Sequence, residues 1–217
     1  MNTVSIDFAS HDGHIACIDG DAVRAIRIIG RTNETELIPL LEEVLKEAGW
    51  AKADIERIAC NLGPGGFTSV RNGVAFANAL ADGLGVLLGG YHGSALALAR
   101  CHGSAPLTMT TSQHAKMLLL SSRAEPRDDV WWIHSTRRDQ AFVRGGSWNE
   151  PTLVSLTDLP ASLGTVTGDL TDAHRAFLTE RGATFPEPKP LEEVLPGFTD
   201  ALTYEKTSLV PWYGRGI

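Results

Sequence analysis

Two places in the sequence bring together residue types that could do chemistry. Asp7 closes an apolar run at residues 4–8, where a strand-end carboxylate can hold a metal-bound water or cap local N–H groups. The stretch Asn61-Leu62-Gly63-Pro64-Gly65-Gly66-Phe67-Thr68-Ser69-Val70-Arg71-Asn72-Gly73 reads as a strand, a glycine-rich turn and the start of a helix. That geometry aims free backbone N–H groups at an anion such as a phosphate. It equally suits a tight turn whose glycines let strand and helix pack closely. The turn lacks the Lys-Ser/Thr of a Walker A loop and the spacing of a dinucleotide fingerprint, and no G-x-S-x-G elbow occurs anywhere.

The other reactive side chains form no recognisable set. The seven histidines are His11, His14, His92, His102, His114, His134 and His174, and none has H-x-x-x-H spacing. His11 and His14 flank a turn, where the reading is solvated imidazole rather than a metal site. Of the three cysteines, Cys17 and Cys60 lie in apolar runs and read as inert core thiols of a reducing cytoplasm.

The elements that must position these residues follow from hydrophobic period. Runs at 4–8, 15–18 and 23–29, joined by Ser10-His11-Asp12-Gly13 and Asp19-Gly20-Asp21, predict an antiparallel meander. Leu37, Leu40, Leu41, Val44, Leu45 and Ala48 make one stripe of a 3.6-residue period. Thr32, Asn33 or Thr35 can cap it and Gly49 can end it, with Pro39 in the first turns. A strand at 55–62, a helix at 70–84 and a parallel strand at 86–91 complete an α/β unit. On that second helix Gly73, Ala77 and Ala81 form a flat ridge, and Val70, Val74 and Phe76 lie elsewhere. Such a helix is buried on two sides, by its own sheet and by a partner or second copy, unless the first helix and sheet cover it entirely.

Beyond residue 101 the pattern predicts strands at 130–135, 140–143, 152–156 and 166–167 and a helix at 171–181. Ser112 could cap a short helix through Leu120, and 186–190 reads as a stiff proline-rich loop. The expected division is 1–101 and 102–217, the second a smaller, divergent α/β unit.

Composition bounds the function. The chain has 217 residues, 43% hydrophobic and 21% charged, and a formal net charge of −7. A chain of this length buries roughly 70% of its unfolded surface and needs no metal or disulfide for stability. Neither a secretory signal nor a run of the roughly 18–20 apolar residues of a membrane span is present. The acidic balance argues against an autonomous nucleic-acid binder. Arg123, Arg127, Arg137, Arg138 and Arg144 read either as scattered solvated side chains or as a local basic patch.

The turn is similar to G-P-G-S-F-T-G-[LV]-R-I-G, a strand-turn-helix motif of the TsaB (YeaZ-like) family. Gly63, Pro64, Gly65, Phe67, Thr68, Val70, Arg71 and Gly73 match, while Gly66, Ser69 and Asn72 depart from it. Ile6-Asp7 resembles the family's first-strand Ile-Asp-Thr with Phe8 in place of Thr. Glu36-Leu37-Ile38-Pro39-Leu40-Leu41 resembles its Leu-x-Pro-x-Leu helix. Thr165-Val166-Thr167-Gly168-Asp169 and Pro211-Trp212-Tyr213-Gly214-Arg215 also fit. Ser135-Thr136-Arg137-Arg138-Asp139-Gln140-Ala141-Phe142 is similar to an Asp-Ala-Arg-Arg-Gly-Glu-Val-Tyr segment with its acidic positions lost, and 102–129 does not match.

The resemblance implies an actin-like, ribonuclease-H-like (ASKHA) fold of two subdomains, the second reduced. It implies a non-catalytic subunit that pairs with a TsaD-like transferase, joined by a TsaE-like ATPase, in threonylcarbamoylation of tRNA adenosine. The partner face would lie on the two helices, through Leu37, Leu41, Val70, Arg71, Gly73, Val74, Ala77 and Ala81. Asp7, Gly63, Gly65, Gly66, Phe67 and Thr68 would form any nucleotide or anion turn. The chain would hold no metal or tight cofactor itself, with ATP or ADP and Mg at the complex interface. Alone it would be a homodimer or a monomer, and it would meet tRNA only through the complex. The competing reading is an actin-like-fold ATPase or kinase that uses Asp7 and residues 63–68 at the phosphates.

Overall fold

The computed structural model describes residues 1–29, 37–102 and 130–214. The expected caps Thr32, Asn33 and Thr35, the expected helix from Ser112, and Arg123, Arg127, His114 and Arg215 lie outside the described residues.

The meander forms as its turns demand. Strands β1 (Asn2–Asp7), β2 (His14–Asp19) and β3 (Ala22–Ile28) pair antiparallel, with Gly20 at φ 58° in the β2–β3 turn. Helix α1 (Leu37–Ala48) has Pro39 in its first turn, where the missing N–H costs nothing, and ends at Gly49 with φ 73°. Strand β4 (Arg57–Asn61) runs parallel to β1. Helix α2 (Phe67–Leu84) then carries the chain to β5 (Leu87–Tyr91), parallel to β4. The sheet order is β3-β2-β1-β4-β5.

The first sheet is covered on both faces. On one side α1 and α2 bury Leu41, Val44, Leu45, Val70, Val74, Ala77 and Ala81 against Val4, Ile6, Ile15 and Ile58. On the other lie α3 (Gly93–His102) and α5 (Leu191–Asp200), both absent from the sequence reading. There Ala95, Leu96, Ala99, Leu195 and Phe198 pack on Ala16, Ile18, Ala59 and Tyr91. Arg57 helps to fasten α5. Its guanidinium, nearly buried, donates to Thr3 Oγ1 (2.7 Å) and Asp200 Oδ1 (3.0 Å) and lies over the Tyr204 ring. The first unit therefore draws on residues 191–213 as well as 1–101.

The second sheet has four strands and repeats the pairing of β3-β2-β1-β4. Strands β6 (Val130–Arg137), β7 (Gln140–Gly145) and β8 (Trp148–Ser155) are antiparallel, and β9 (Thr165–Thr167) is parallel to β6. Helix α4 (Asp172–Thr179), capped by the Thr171 hydroxyl, places Leu178 on Ile133, Val143 and Val166. The fold is a mixed α/β architecture of the actin-like, ASKHA type, with two sheets and five α-helices among the described residues.

Candidate functional site

Asp7 is fully buried, and its carboxylate is spent inside the chain. Oδ1 accepts the backbone N–H of Ala9 (2.9 Å) and Ser10 (3.0 Å), while Oδ2 accepts the Ser10 hydroxyl (2.8 Å) and Asn61 Nδ2 (2.9 Å). Four short donors occupy both oxygens, which is the capping arrangement rather than that of a carboxylate turned to solvent. Asn61 extends the network, accepting the Gly63 N–H through Oδ1 at 2.9 Å. The sequence puts Asn61 at the head of the turn stretch, but its link to Asp7, across 54 residues, is not a local property.

The glycine-rich turn is built for close approach. Gly63 has φ 113°, a conformation that L side chains rarely adopt, and a Cβ there would come within 2.6 Å of the Trp212 carbonyl oxygen. A Cβ on Gly65 would come within 2.5 Å of the Ala9 carbonyl oxygen. Gly66, Phe67 and Thr68 are exposed at the start of α2, and no side chain caps that end. The turn thus joins Asp7's loop on its inner side and faces solvent on its outer side.

Between the two sheets lies a cleft of about 100 Å³, lined by Asp7, Ser10, Asp12, Arg100, His134, Gly168 and Asp169 among others. Ligand cavities for small organic molecules usually run to roughly 300–1,000 Å³. Asp169 spans the cleft: its Oδ2 accepts the His11 backbone N–H at 3.1 Å and stands 3.4 Å from His134 Nδ1. Arg100 crosses to Asp12 at 2.9 Å. Burial pushes the Asp12 carboxyl up, but the hydrogen bond and charge of Arg100, helped by His11, bring it below the usual range.

His11 is exposed as expected; His14 corrects the expectation of a solvated pair. It is fully buried, with Nε2 3.0 Å from Ser5 Oγ, and burial holds its pKa down. Cys17 and Cys60 behave as core thiols, burial pushing Cys17 up to about 12 and Cys60 higher still.

Most of the residues expected on a partner face lie in the chain's own interior. Leu37, Leu41, Val70, Gly73, Val74, Ala77 and Ala81 are all buried, and seven of the eight named positions thus belong to the chain's own interior. The Gly73–Ala77–Ala81 ridge lies under the fold, where a Cβ on Gly73 would meet Phe8 at 3.3 Å. Of that set only Arg71 is exposed. Ala75, Ala79 and Gly83 repeat the same spacing on the solvent side of α2.

A segment near the C-terminus ties the parts together. Asn78 on α2 exchanges hydrogen bonds with the Leu209 backbone (2.8 and 2.9 Å), and Trp212 N–H donates to the Leu62 carbonyl. Trp212 packs edge-on to His92 (4.6 Å) and against Phe142 of the second sheet (5.3 Å). His92 is buried and its Nδ1 accepts no hydrogen bond among the described residues. Burial, with the nearby Arg144 charge, brings its pKa down to about 4 from an ordinary 6.5. Because the folded value is the lower one, the unfolded chain takes up a proton first as pH falls. Stability from neutral His92 is complete above about pH 6.5 and declines toward pH 4, by on the order of 3 kcal/mol. Urea midpoints from pH 7 to 4.5 should show this slope, and His92→Phe, which keeps a ring against Trp212, should lose that share of it.

Comparison with known proteins places this geometry. The family described as TsaD, tRNA N6-adenosine threonylcarbamoyltransferase, matches residues 27–122. The tRNA threonylcarbamoyladenosine biosynthesis protein TsaB of Escherichia coli (strain K12) is 31% identical over 84 residues, 38% of this chain and 36% of that protein. The chain is thus similar to TsaB and TsaD proteins over part of its length. It also resembles a tRNA N6-adenosine threonylcarbamoyltransferase of Ralstonia pickettii (strain 12J). That match is 45% identical over 65 residues, covering 30% of this chain and 19% of that one. The chain thus spans about a third and a fifth of these two curated relatives. In fold it is similar to YeaZ from Pseudomonas aeruginosa, with TM-score 0.57, 16% identity, and 92% of this chain and 90% of that one covered. A second structure, an uncharacterized protein with similarity to peptidase YEAZ from the same organism, gives TM-score 0.59 and 16% identity over 89% and 88%.

Proposed function

We propose that this chain is a non-catalytic scaffold or activator subunit in threonylcarbamoylation of tRNA adenosine, paired with a TsaD-like transferase and joined by a TsaE-like ATPase. The observation that carries the reading is Asp7. In an actin-like fold the first-strand carboxylate is the natural partner for phosphate and metal. Here it is buried and already accepts four internal donors. The small, bridged cleft beside it supports the same reading.

Binding, rather than chemistry, is then the task of the surface. The outer face of α2 offers Ala75, Ala79 and Gly83 with Arg71 at one end, and small residues let a partner's helix approach closely. Ile38, 59% exposed at the start of α1, adds apolar area. The same faces would close a homodimer when the chain is alone. Any ATP or ADP with Mg would sit at the complex interface, and tRNA would be held by the assembly. No described helix is long and apolar enough to cross a membrane. A cytoplasmic location follows from the proposed tRNA-modification role alone.

The test is co-purification with the TsaD-like protein and rescue of a TsaB-depleted strain, alongside ATP turnover by the isolated chain. Pairing, rescue and negligible turnover are the expected results. Rapid turnover by the pure chain would replace this reading with an ATPase or kinase.

A further inference from the structure

On the far side of the glycine-rich turn from Asp7, a groove of about 580 Å³ runs between the start of α2 and the β6–β7 hairpin. Its walls include Phe67, His134, Arg137, Gln140 and Tyr213, and no carboxylate is among its described lining residues. That is notable in a chain with 26 acidic and 19 basic side chains. Phe67 is 61% exposed, its ring 5.0 Å from Tyr213, with the Arg71 guanidinium 5.2 Å from its centre. Arg137 is exposed and forms no ion pair among the described residues.

An exposed aromatic pair alone would be an ordinary surface feature, and so would one free arginine. Flat π faces, an unpaired cation and an acid-free groove of ligand size at one place are a different matter. The geometry points to a site for one nucleotide, its base stacked on Phe67 and Tyr213 and its phosphate at Arg137. Aromatic stacking accepts any base because every base has a π face, and arginine suits a phosphate by its planar fork of donors. The net charge of −7 gives no general attraction for a polyanion, so the contact is local. Its salt dependence should correspond to about one neutralised phosphate. The nucleotide could be free or part of single-stranded RNA; that the RNA would be tRNA rests on the function proposed above.

The test uses the full chain and a fluorescein-labelled adenine-rich RNA hexamer, followed by anisotropy, with AMP, adenosine and inorganic phosphate as competitors. Phe67→Ala and Arg137→Glu change exposed side chains, and an unchanged Tm verifies the fold. Each should weaken binding about tenfold or more. AMP that competes as well as the hexamer identifies a free-nucleotide site; a much tighter hexamer identifies an RNA contact. Unaltered affinity in both variants overturns the proposal. So does phosphate that competes as well as AMP, or no binding of either probe at millimolar concentration. Failure of the complex reading is separable: rescue and pairing would be lost while the hexamer still bound in a Phe67-dependent way.

Discussion

Asp7→Asn should lower the folding stability of this chain by about 3 kcal/mol, although it changes one atom. The carboxylate accepts the Ala9 and Ser10 N–H groups, the Ser10 hydroxyl and Asn61 Nδ2. A carboxamide offers one acceptor oxygen and turns two N–H donors on that ring of donors. At least one partner loses its acceptor in a fully buried place, and a charged acceptor is lost as well. A hydrogen bond to a charged group contributes roughly 1.5–3 kcal/mol, and a buried unsatisfied group costs about 1–3. Asp7→Ala, which abandons all four donors, should cost at least as much. Urea denaturation reads both. Near-neutral effects on stability, with loss of metal-dependent nucleotide affinity, would show that Asp7 works on phosphates and not on its own loop.

Tryptophan at two neighbouring positions of α2 should have opposite consequences. Ala77 is completely buried between α2 and the sheet, so Ala77→Trp forces an indole into a close-packed layer. The expected cost is about 3 kcal/mol or more, with soluble yield reduced. Ala79 is exposed, and Ala79→Trp should leave stability within about 0.5 kcal/mol. On the pairing proposed above, the same indole would stand where the partner's backbone approaches, so affinity for a TsaD-like protein should fall about a hundredfold or more, near 2.7 kcal/mol. Calorimetric titration of the folded Ala79→Trp variant is the measurement. Unchanged affinity would remove the outer face of α2 as the docking surface.

These two experiments mark where the sequence was legible and where it was not. The meander, the β4–turn–α2 unit and the parallel β5 were readable because period and turn residues are local properties. Which side of α2 faces inward was not. Gly73, Ala77 and Ala81 share their spacing with Ala75, Ala79 and Gly83, and only the position of the sheet separates the two ridges. Helix α5 was missed because Pro196 and Gly197 sit inside it, and its apolar side is fixed by strands far earlier in the chain. Helix α3, short and rich in alanine, has a weak apolar stripe. The capping of Asp7 was foreseen as one of two roles. What decides between them is Asn61, a neutral side chain on another strand. The Phe67–Tyr213 pair joins residues 146 positions apart, 213 less 67, and no local pattern announces it.

The long-range fastenings have a consequence for how the protein must be made. Asn78 finds Leu209, Arg57 finds Asp200 and His11 finds Asp169, pairs separated by 131, 143 and 158 residues. A ribosome adds roughly 5–20 residues per second. Helix α3 follows the first sheet directly, but the part of that face α5 covers waits several seconds or more for Leu195 and Phe198 to emerge. During that interval the nascent chain presents an apolar sheet face in a crowded medium. Production in cells should thus be limited by what shields that face, by a chaperone or by slowed aggregation at low temperature, more than by the stability of the finished molecule.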